Sequence, residues 1–264
     1  MIEYYNLYLP RSKREVKIEV SAPRYKQGIT FDTLYFLDGQ NAFKDSHAAF
    51  GRSIRATKSL GFAAKELKKR ILGVAVYNSG SNMGRINEYT PFKIDNAAED
   101  EWKSHDVEAC YKYCDDFINV IIPFIENKYN TYKDPNHRFI YGSSLAAVTA
   151  IYLAFKYPDS FNYIGAFSTA SFLFDKKFYE FLNENINTNK NVFIYVGKEE
   201  SSDGSYDKSL YLNTSIKLYE YFKENNINRR LVISSSGLHN EETWDKSFLD
   251  FINFIYSNDI IYKQ

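Results

Sequence analysis

The chain has 264 residues, of which 44% are hydrophobic, so it can bury a full core, and we predict a single domain over residues 1–264. Lysine plus arginine and aspartate plus glutamate both number 33. This zero net charge argues against a nucleic-acid partner and against a basic membrane-binding face. No apolar run approaches the roughly eighteen residues of a membrane span, and no secretory signal opens the chain. We therefore expect a cytoplasmic protein.

The first half of the chain opens with alternating apolar and polar residues at 3–9 and 15–20, which predict an antiparallel hairpin. Apolar runs at 33–37 and 71–77 predict buried strands, and the second is followed by a polar loop that reaches Pro91. Apolar residues then recur every three or four positions over 107–129. That spacing predicts a long amphipathic helix.

In the second half, strand and helix patterns alternate. Strands are predicted at 138–141, 163–167, 192–196 and 231–235, and helices from 145, over 176–185 and 209–224, and from about 242. Such alternation indicates an α/β fold: a mostly parallel sheet with the antiparallel hairpin at its start and helices on both faces. In such sheets, sites form beyond the carboxyl ends of the strands.

One strand end has the layout of a nucleophile elbow, in which a sharp strand-to-helix turn exposes a serine oxygen. The strand ends at Gly142, Ser144 lies at the turn, and an apolar helix begins at Leu145. Small residues are required two positions before and after the serine, and Gly142 and Ala146 occupy them. A structural turn would use the same residue types, so the interpretation depends on catalytic partners elsewhere in the chain.

A serine hydroxyl needs a base to remove its proton, and histidine is the usual one. Of the four histidines, only His239 follows Ser144, and it lies in a loop between a strand and the last helix. His137 stands at the start of a strand, which is the wrong end of the sheet. We predict that His105 begins a helix as a capping or exposed residue, and His47 has no clear assignment.

The acid that orients the histidine should follow the strand at 192–196. Four carboxylates lie there, and periodicity does not choose among them: Glu199, Glu200, Asp203 and Asp207. The oxyanion hole requires two backbone N–H groups. We expect them from Leu145, which follows the nucleophile, and from Gln40, which follows the Asp38-Gly39 turn.

These motifs together resemble the putative esterase family of α/β-hydrolases, which includes siderophore (enterochelin-type), feruloyl and carbohydrate esterases. The resemblance spans about residues 15–257. It rests on four segments: Asp-Gly-Gln-Asn at 38–41, Arg-Ile-Asn-Glu-Tyr-Thr-Pro at 85–91, Gly-Ser-Ser-Leu-Ala-Ala at 142–147 and Gly-Leu-His-Asn-Glu at 237–241. The family has two glycines where this chain has Ala146 and Ala147.

The resemblance implies an α/β-hydrolase fold with Ser144 as nucleophile and His239 as base. The family's Gly-x-x-Glu segment falls on Gly197 and Glu200, which favours Glu200 as the acid. The implied function is hydrolysis of a small or medium carboxylic ester through an acyl-enzyme. An acyltransferase and a catalytically silent binding protein on the same fold are the alternatives.

No cofactor or metal is expected. Cys110 and Cys114 lie one helical turn apart in the predicted helix at 107–129, without further ligands nearby. A disulfide within one helical turn has poor geometry, so we interpret both as ordinary thiols. The expected partner is a small-molecule ester. The sequence leaves the oligomeric state open, a homo-oligomer included.

Overall fold

A computed structural model describes residues 2–23, 28–95, 100–202 and 204–257. The strands are β1 (Ile2–Leu9), β2 (Arg14–Ser21), β3 (Asp32–Phe36), β4 (Ile71–Val76), β5 (Arg138–Ser143), β6 (Tyr163–Phe167), β7 (Asn191–Gly197) and β8 (Asn228–Ser234). The helices are α1 (Ala56–Phe62), α2 (Asn82–Tyr89), α3 (Val107–Asp116), α4 (Ile122–Lys128), α5 (Leu145–Lys156), α6 (Asp175–Glu184), α7 (Lys208–Glu224) and α8 (Glu241–Ile255).

All these strands form one mixed sheet in the order β1-β2-β4-β3-β5-β6-β7-β8. The first two form the predicted antiparallel hairpin, and β2 also runs antiparallel to β4. From β4 to β8 every neighbouring pair is parallel. The parallel strands therefore bring their carboxyl ends to one edge of the sheet, where the loops after β3, β5, β6, β7 and β8 meet.

Both faces of the sheet are covered, which explains why β3, β4 and β5 are buried along their whole length. Helices α1 and α8 pack on one face around Phe36, Phe167 and Phe248. The remaining helices cover the other face, where α5 is buried at every position except its last. A π-helical turn joins α3 to α4, so the predicted long helix is confirmed as nearly continuous.

Two parts of the sequence-based prediction were incomplete. Helix α1 was not predicted, and helix α2 lies within the segment expected to be a polar loop. Glycine and serine at 79–81 suggested a loop, but Ser81 caps the helix by accepting a hydrogen bond from the N–H of Gly84. The helix is stabilised by tertiary packing of Ile86 and Tyr89, which are buried.

The prediction for His105 was wrong. This residue lies just before α3 and is buried, whereas Asp106 is the capping residue. Its ring nitrogens lie 2.8 and 2.9 Å from the carbonyl oxygens of Trp102 and Phe92. His105 therefore closes a turn in the core instead of starting a helix at the surface.

Within the described ranges, no helix combines the length and the apolar character that crossing a membrane requires. The two cysteines are buried free thiols whose sulfur atoms lie 3.9 Å apart.

Candidate active site

The elbow is formed where β5 ends at Ser143 and α5 begins at Leu145. Between them Ser144 has φ 60° and ψ −124°, a conformation that costs a non-glycine residue about 1–3 kcal/mol. Backbone hydrogen bonds hold it there. The N–H of Ser144 donates to the Phe167 carbonyl at 2.9 Å, and its own carbonyl accepts from Ala170 at 3.3 Å. Strain maintained by its surroundings is typical of a functional residue.

Gly142 permits the tight approach of strand and helix at this turn. A Cβ at this position would lie 2.2 Å from the carbonyl oxygen of Ala146, far inside contact distance. Ala146 itself is completely buried, so the core has room for its methyl group. The structure thus requires the first small position to be glycine and accommodates alanine at the second.

His239 and Glu200 meet at the same edge of the sheet. The Nδ1 atom of His239 lies 2.9 Å from Oε2 of Glu200, which is completely buried after β7. The other carboxylate oxygen accepts hydrogen bonds from the Gly197 N–H at 2.6 Å and from the Ser168 hydroxyl at 2.7 Å. Ser168 in turn accepts from the indole N–H of Trp244 at 2.8 Å. These hydrogen bonds fix the orientation of the Glu200 carboxylate toward the imidazole.

The other carboxylates considered for this role have different surroundings. Glu199 is exposed and forms an ion pair with Lys208. Asp207 is exposed and caps α7 by accepting from the N–H of Ser209. Asp203 lies outside the described residues. Among the three that are described, only Glu200 contacts the imidazole.

Two glycines bring the loops of Glu200 and His239 into contact. A Cβ on Gly197 would lie 2.2 Å from the carbonyl oxygen of Gly237, and that same carbonyl accepts the N–H of Glu199 at 3.0 Å. The backbones after β7 and β8 thus touch directly. The separation of Glu200 and His239 is therefore set by main-chain packing.

The imidazole also lies against aromatic side chains. The ring of Tyr211, on α7, has its centroid 4.3 Å from that of His239, and the ring of Trp244 meets the imidazole edge-on at 5.1 Å. Burial raises the pKa of Tyr211 to about 12. This phenol therefore stays protonated across the neutral range.

The predicted oxyanion loop follows β3. Asp38 has a left-handed backbone (φ 51°), and a 3₁₀ turn over Gly39–Asn41 places Gln40 after it. A Cβ on Gly39 would lie 2.4 Å from the backbone of Ala75 and Val76, so the loop rests directly on β4. At the far end of the turn, the side-chain amide of Asn41 donates to Glu241 at 2.7 Å. That bond ties this loop to the segment that carries His239.

Arg85 anchors the predicted oxyanion loop through Asp38. Its guanidinium makes a bidentate ion pair with Asp38, with contacts of 2.6 to 3.0 Å. The amide of Asn78 donates to the same carboxylate at 2.7 Å, and the phenol of Tyr89 accepts the Asp38 N–H at 2.9 Å. The segments at 38–41 and 85–91 are thus in direct contact.

The remaining histidines lie elsewhere. His137 stacks on Tyr132 at the amino ends of the strands, as predicted, and its Nδ1 lies 2.7 Å from Asp134. His47 faces Glu19 on β2. In the part of the chain that is described, no cluster of three or more histidine, cysteine, aspartate or glutamate side chains could hold a metal ion.

Sequence reasoning missed Ser168, Tyr211, Trp244 and the role of Arg85. Of these four residues, only Arg85 had a signal in the sequence: its positive charge could have been matched to the negative charge of Asp38. The other three lie far from Ser144 in sequence and belong to ordinary strand-end and helical patterns.

The sequence matches the profile of the "Putative esterase" family over residues 10–255. The chain belongs to this Esterase family. Uncharacterized protein YbbA of Bacillus subtilis is 24% identical over 240 residues, which is 87% of each chain. The α/β-hydrolase fold is likewise confirmed.

Two solved structures illustrate that fold. The IroE-like serine hydrolase of Shewanella oneidensis superposes with a TM-score of 0.77 at 15% identity, covering 97% of this chain and 79% of that one. The siderophore hydrolase EstA of Aspergillus nidulans gives 0.75 at 12% identity, covering 95% and 93%. At these identities the likeness shows a common fold.

Proposed function

We propose that this member of the Esterase family hydrolyses a carboxylic ester through an acyl-enzyme on Ser144. The observation that carries the proposal is the buried Glu200–His239 pair, at the same sheet edge as the strained serine elbow. Serine, histidine and acid occur in the chain order of α/β-hydrolases, and family membership supports the same chemistry.

In the first half of the reaction, the hydroxyl oxygen of Ser144 attacks the ester carbonyl and His239 accepts its proton. Nδ1 of the imidazole is hydrogen-bonded to Glu200, so the proton of Ser144 goes to Nε2. The N–H groups of Gln40 and Leu145 stabilise the oxyanion of the tetrahedral intermediate. The intermediate collapses when the C–O bond to the alcohol breaks and His239 returns the proton to the leaving oxygen.

In the second half, His239 takes a proton from water, whose oxygen attacks the acyl carbon. Collapse of this second intermediate releases the carboxylic acid and gives the proton back to Ser144. Glu200 keeps its orientation throughout, because its other oxygen is held by the Ser168 hydroxyl and the Gly197 N–H. Its charge stabilises the imidazolium formed in both halves.

A cavity of about 250 Å³ borders the site and offers a place for one side of the ester. Its lining begins at Ser171, one residue after the N–H group that donates to the Ser144 carbonyl. Three of its seven lining residues are aromatic, including Phe172, whose ring lies 5.0 Å from that of Tyr211. A partly apolar acyl or alcohol group would fit these walls.

The test is the loss of aryl-ester hydrolysis in Ser144→Ala and His239→Ala. Each should lower turnover by several orders of magnitude, because members of a triad act as a unit. Glu200→Gln should lower it by about ten- to ten-thousandfold. Glu199→Gln is the matched control, because this neighbouring carboxylate is exposed; it should retain nearly full activity.

A fluorophosphonate probe separates the alternatives. Labelling of the wild type but not of Ser144→Ala supports a serine enzyme, and the absence of labelling would instead indicate a binding protein on the same fold. Product analysis with added alcohols distinguishes a hydrolase from an acyltransferase. Retention of more than a tenth of wild-type turnover in Ser144→Ala would disprove the proposal.

A further inference from the structure

Tyr211 occupies an unusual position relative to the candidate triad. It lies in the first turn of α7, is only 2% exposed, and contacts residues of three separate loops, Phe172, Ser202 and His239. Its ring packs on the His239 imidazole at 4.3 Å with an angle of 37° between the planes. Nothing in the local sequence distinguishes it from the many other tyrosines of this chain.

The hydroxyl of Tyr211 is placed as specifically as its ring. It lies 2.6 Å from the hydroxyl of Ser202, which has a left-handed backbone (φ 47°) and follows the loop residue Glu200 by two positions. Burial raises the pKa of the phenol to about 12, so the hydroxyl keeps its proton across the neutral range. The hydroxyl thus connects α7 to the loop that carries Glu200.

We infer that Tyr211 is a positioning residue for the proposed reaction, with its ring holding the His239 imidazole and its hydroxyl fixing that ring through Ser202. Ser202 lies in the loop that carries Glu200, so this hydrogen bond ties the ring to that loop as well as to the imidazole. Tyr211 neither gains nor loses a proton in the reaction. The inference rests on the proposed function, since it presumes that Ser144 and His239 react.

The groups around the imidazole determine what a ring substitution should do. The loop after β7 presents Glu200, α7 presents Tyr211, and α8 presents the uncharged Trp244. The face of an aromatic ring attracts a cation, so the Tyr211 ring favours the imidazolium. Replacing it with an aliphatic side chain should therefore move the acidic limb of the pH–rate profile to lower pH.

The experiment compares Tyr211→Phe, which removes only the hydroxyl, with Tyr211→Leu, which also removes the ring. Two rates are measured: fluorophosphonate labelling of Ser144, and kcat/KM for an aryl ester between pH 5 and 9. Tyr219→Phe is the matched control, because Tyr219 lies two turns along the same helix and contacts Arg229 instead of the site. Thermal unfolding verifies that each variant is folded.

Tyr211→Phe should lower the labelling rate and kcat about tenfold, leave KM within twofold and keep the acidic limb in place. Tyr211→Leu should cost about a further tenfold and shift that limb downward. If the leucine variant does not fold, Tyr211→Met serves instead, because methionine fills irregular gaps. Tyr219→Phe should match the wild type.

Equal rates for Tyr211→Phe and wild type would overturn the role of the hydroxyl. An unshifted limb in the aliphatic variant would overturn the role of the ring. A change in KM alone would mean that Tyr211 only lines the pocket. Failure of the proposed function appears differently, because the wild type itself would then show neither Ser144 labelling nor hydrolysis.

Discussion

The contact between Gly197 and Gly237 predicts that a single methyl group should separate acid from base. In Gly197→Ala, the new Cβ would lie 2.2 Å from the Gly237 carbonyl oxygen and 2.4 Å from its carbon. Real Cβ atoms essentially never approach a neighbour closer than 3.0 Å, so the backbones must part by about 0.8 Å. Neither backbone can rotate away as a flexible side chain would, because both follow directly from neighbouring strands.

This displacement acts on the geometry of the proposed triad. The Gly237 carbonyl accepts the Glu199 N–H at 3.0 Å, and a shift of this size would break that bond and move His239 relative to Glu200. A misplacement of about 1 Å costs about a hundredfold in rate, equivalent to about 2.7 kcal/mol in the barrier. Overpacking should also cost about 1–3 kcal/mol of stability.

The assay is kcat/KM on an aryl ester beside the free energy of unfolding in urea. Gly61→Ala is the control, because a Cβ on Gly61 meets no atom within 4 Å and alanine favours the helix in which it lies. We expect full activity in the control and about a hundredfold loss in Gly197→Ala. Wild-type kcat/KM in Gly197→Ala would refute the argument that main-chain packing sets the acid–base distance.

Two further predictions concern α2. Arg85→Lys should lower kcat about tenfold with little change in KM, because lysine cannot form the bidentate pair that holds Asp38 in the predicted oxyanion loop. Steady-state kinetics measures this effect, with the surface variant Arg11→Lys as the control. An unchanged kcat in Arg85→Lys would contradict the prediction. Burial raises the pKa of the Glu88 carboxyl from 4.5 to about 7. The protonated carboxyl therefore stabilises the folded state fully below pH 4.5, and this stabilisation is lost as the pH rises through 7. Urea unfolding at pH 4.5 and 7.5 should therefore show wild type losing up to about 3 kcal/mol more than Glu88→Gln, whereas the exposed Glu15→Gln should follow wild type.

Much of the fold could be predicted because its signals are local. Four of the predicted strands are followed by helices at the observed places, and the turn at 142–146 has the residue types that a sharp strand-to-helix connection requires. Helix α2 could not be predicted in the same way. Its segment is rich in serine, glycine and asparagine, and it is helical because Ile86 and Tyr89 find a core to pack into.

The sequence by itself determined where the serine elbow lies and that His239 is the one histidine after it, since both follow from residue type and chain order. It did not determine which of the neighbouring Glu199 and Glu200 meets the imidazole, because two adjacent loop residues have the same local pattern. Only the tertiary structure decided that question. The backbone of Gly197 packs on that of Gly237, and this contact leaves one carboxylate buried against His239 and the other in solvent. Tyr211 likewise reaches the site through tertiary packing. Helix α7 lies beside the loops of Glu200 and His239, and no local sequence pattern indicates that contact.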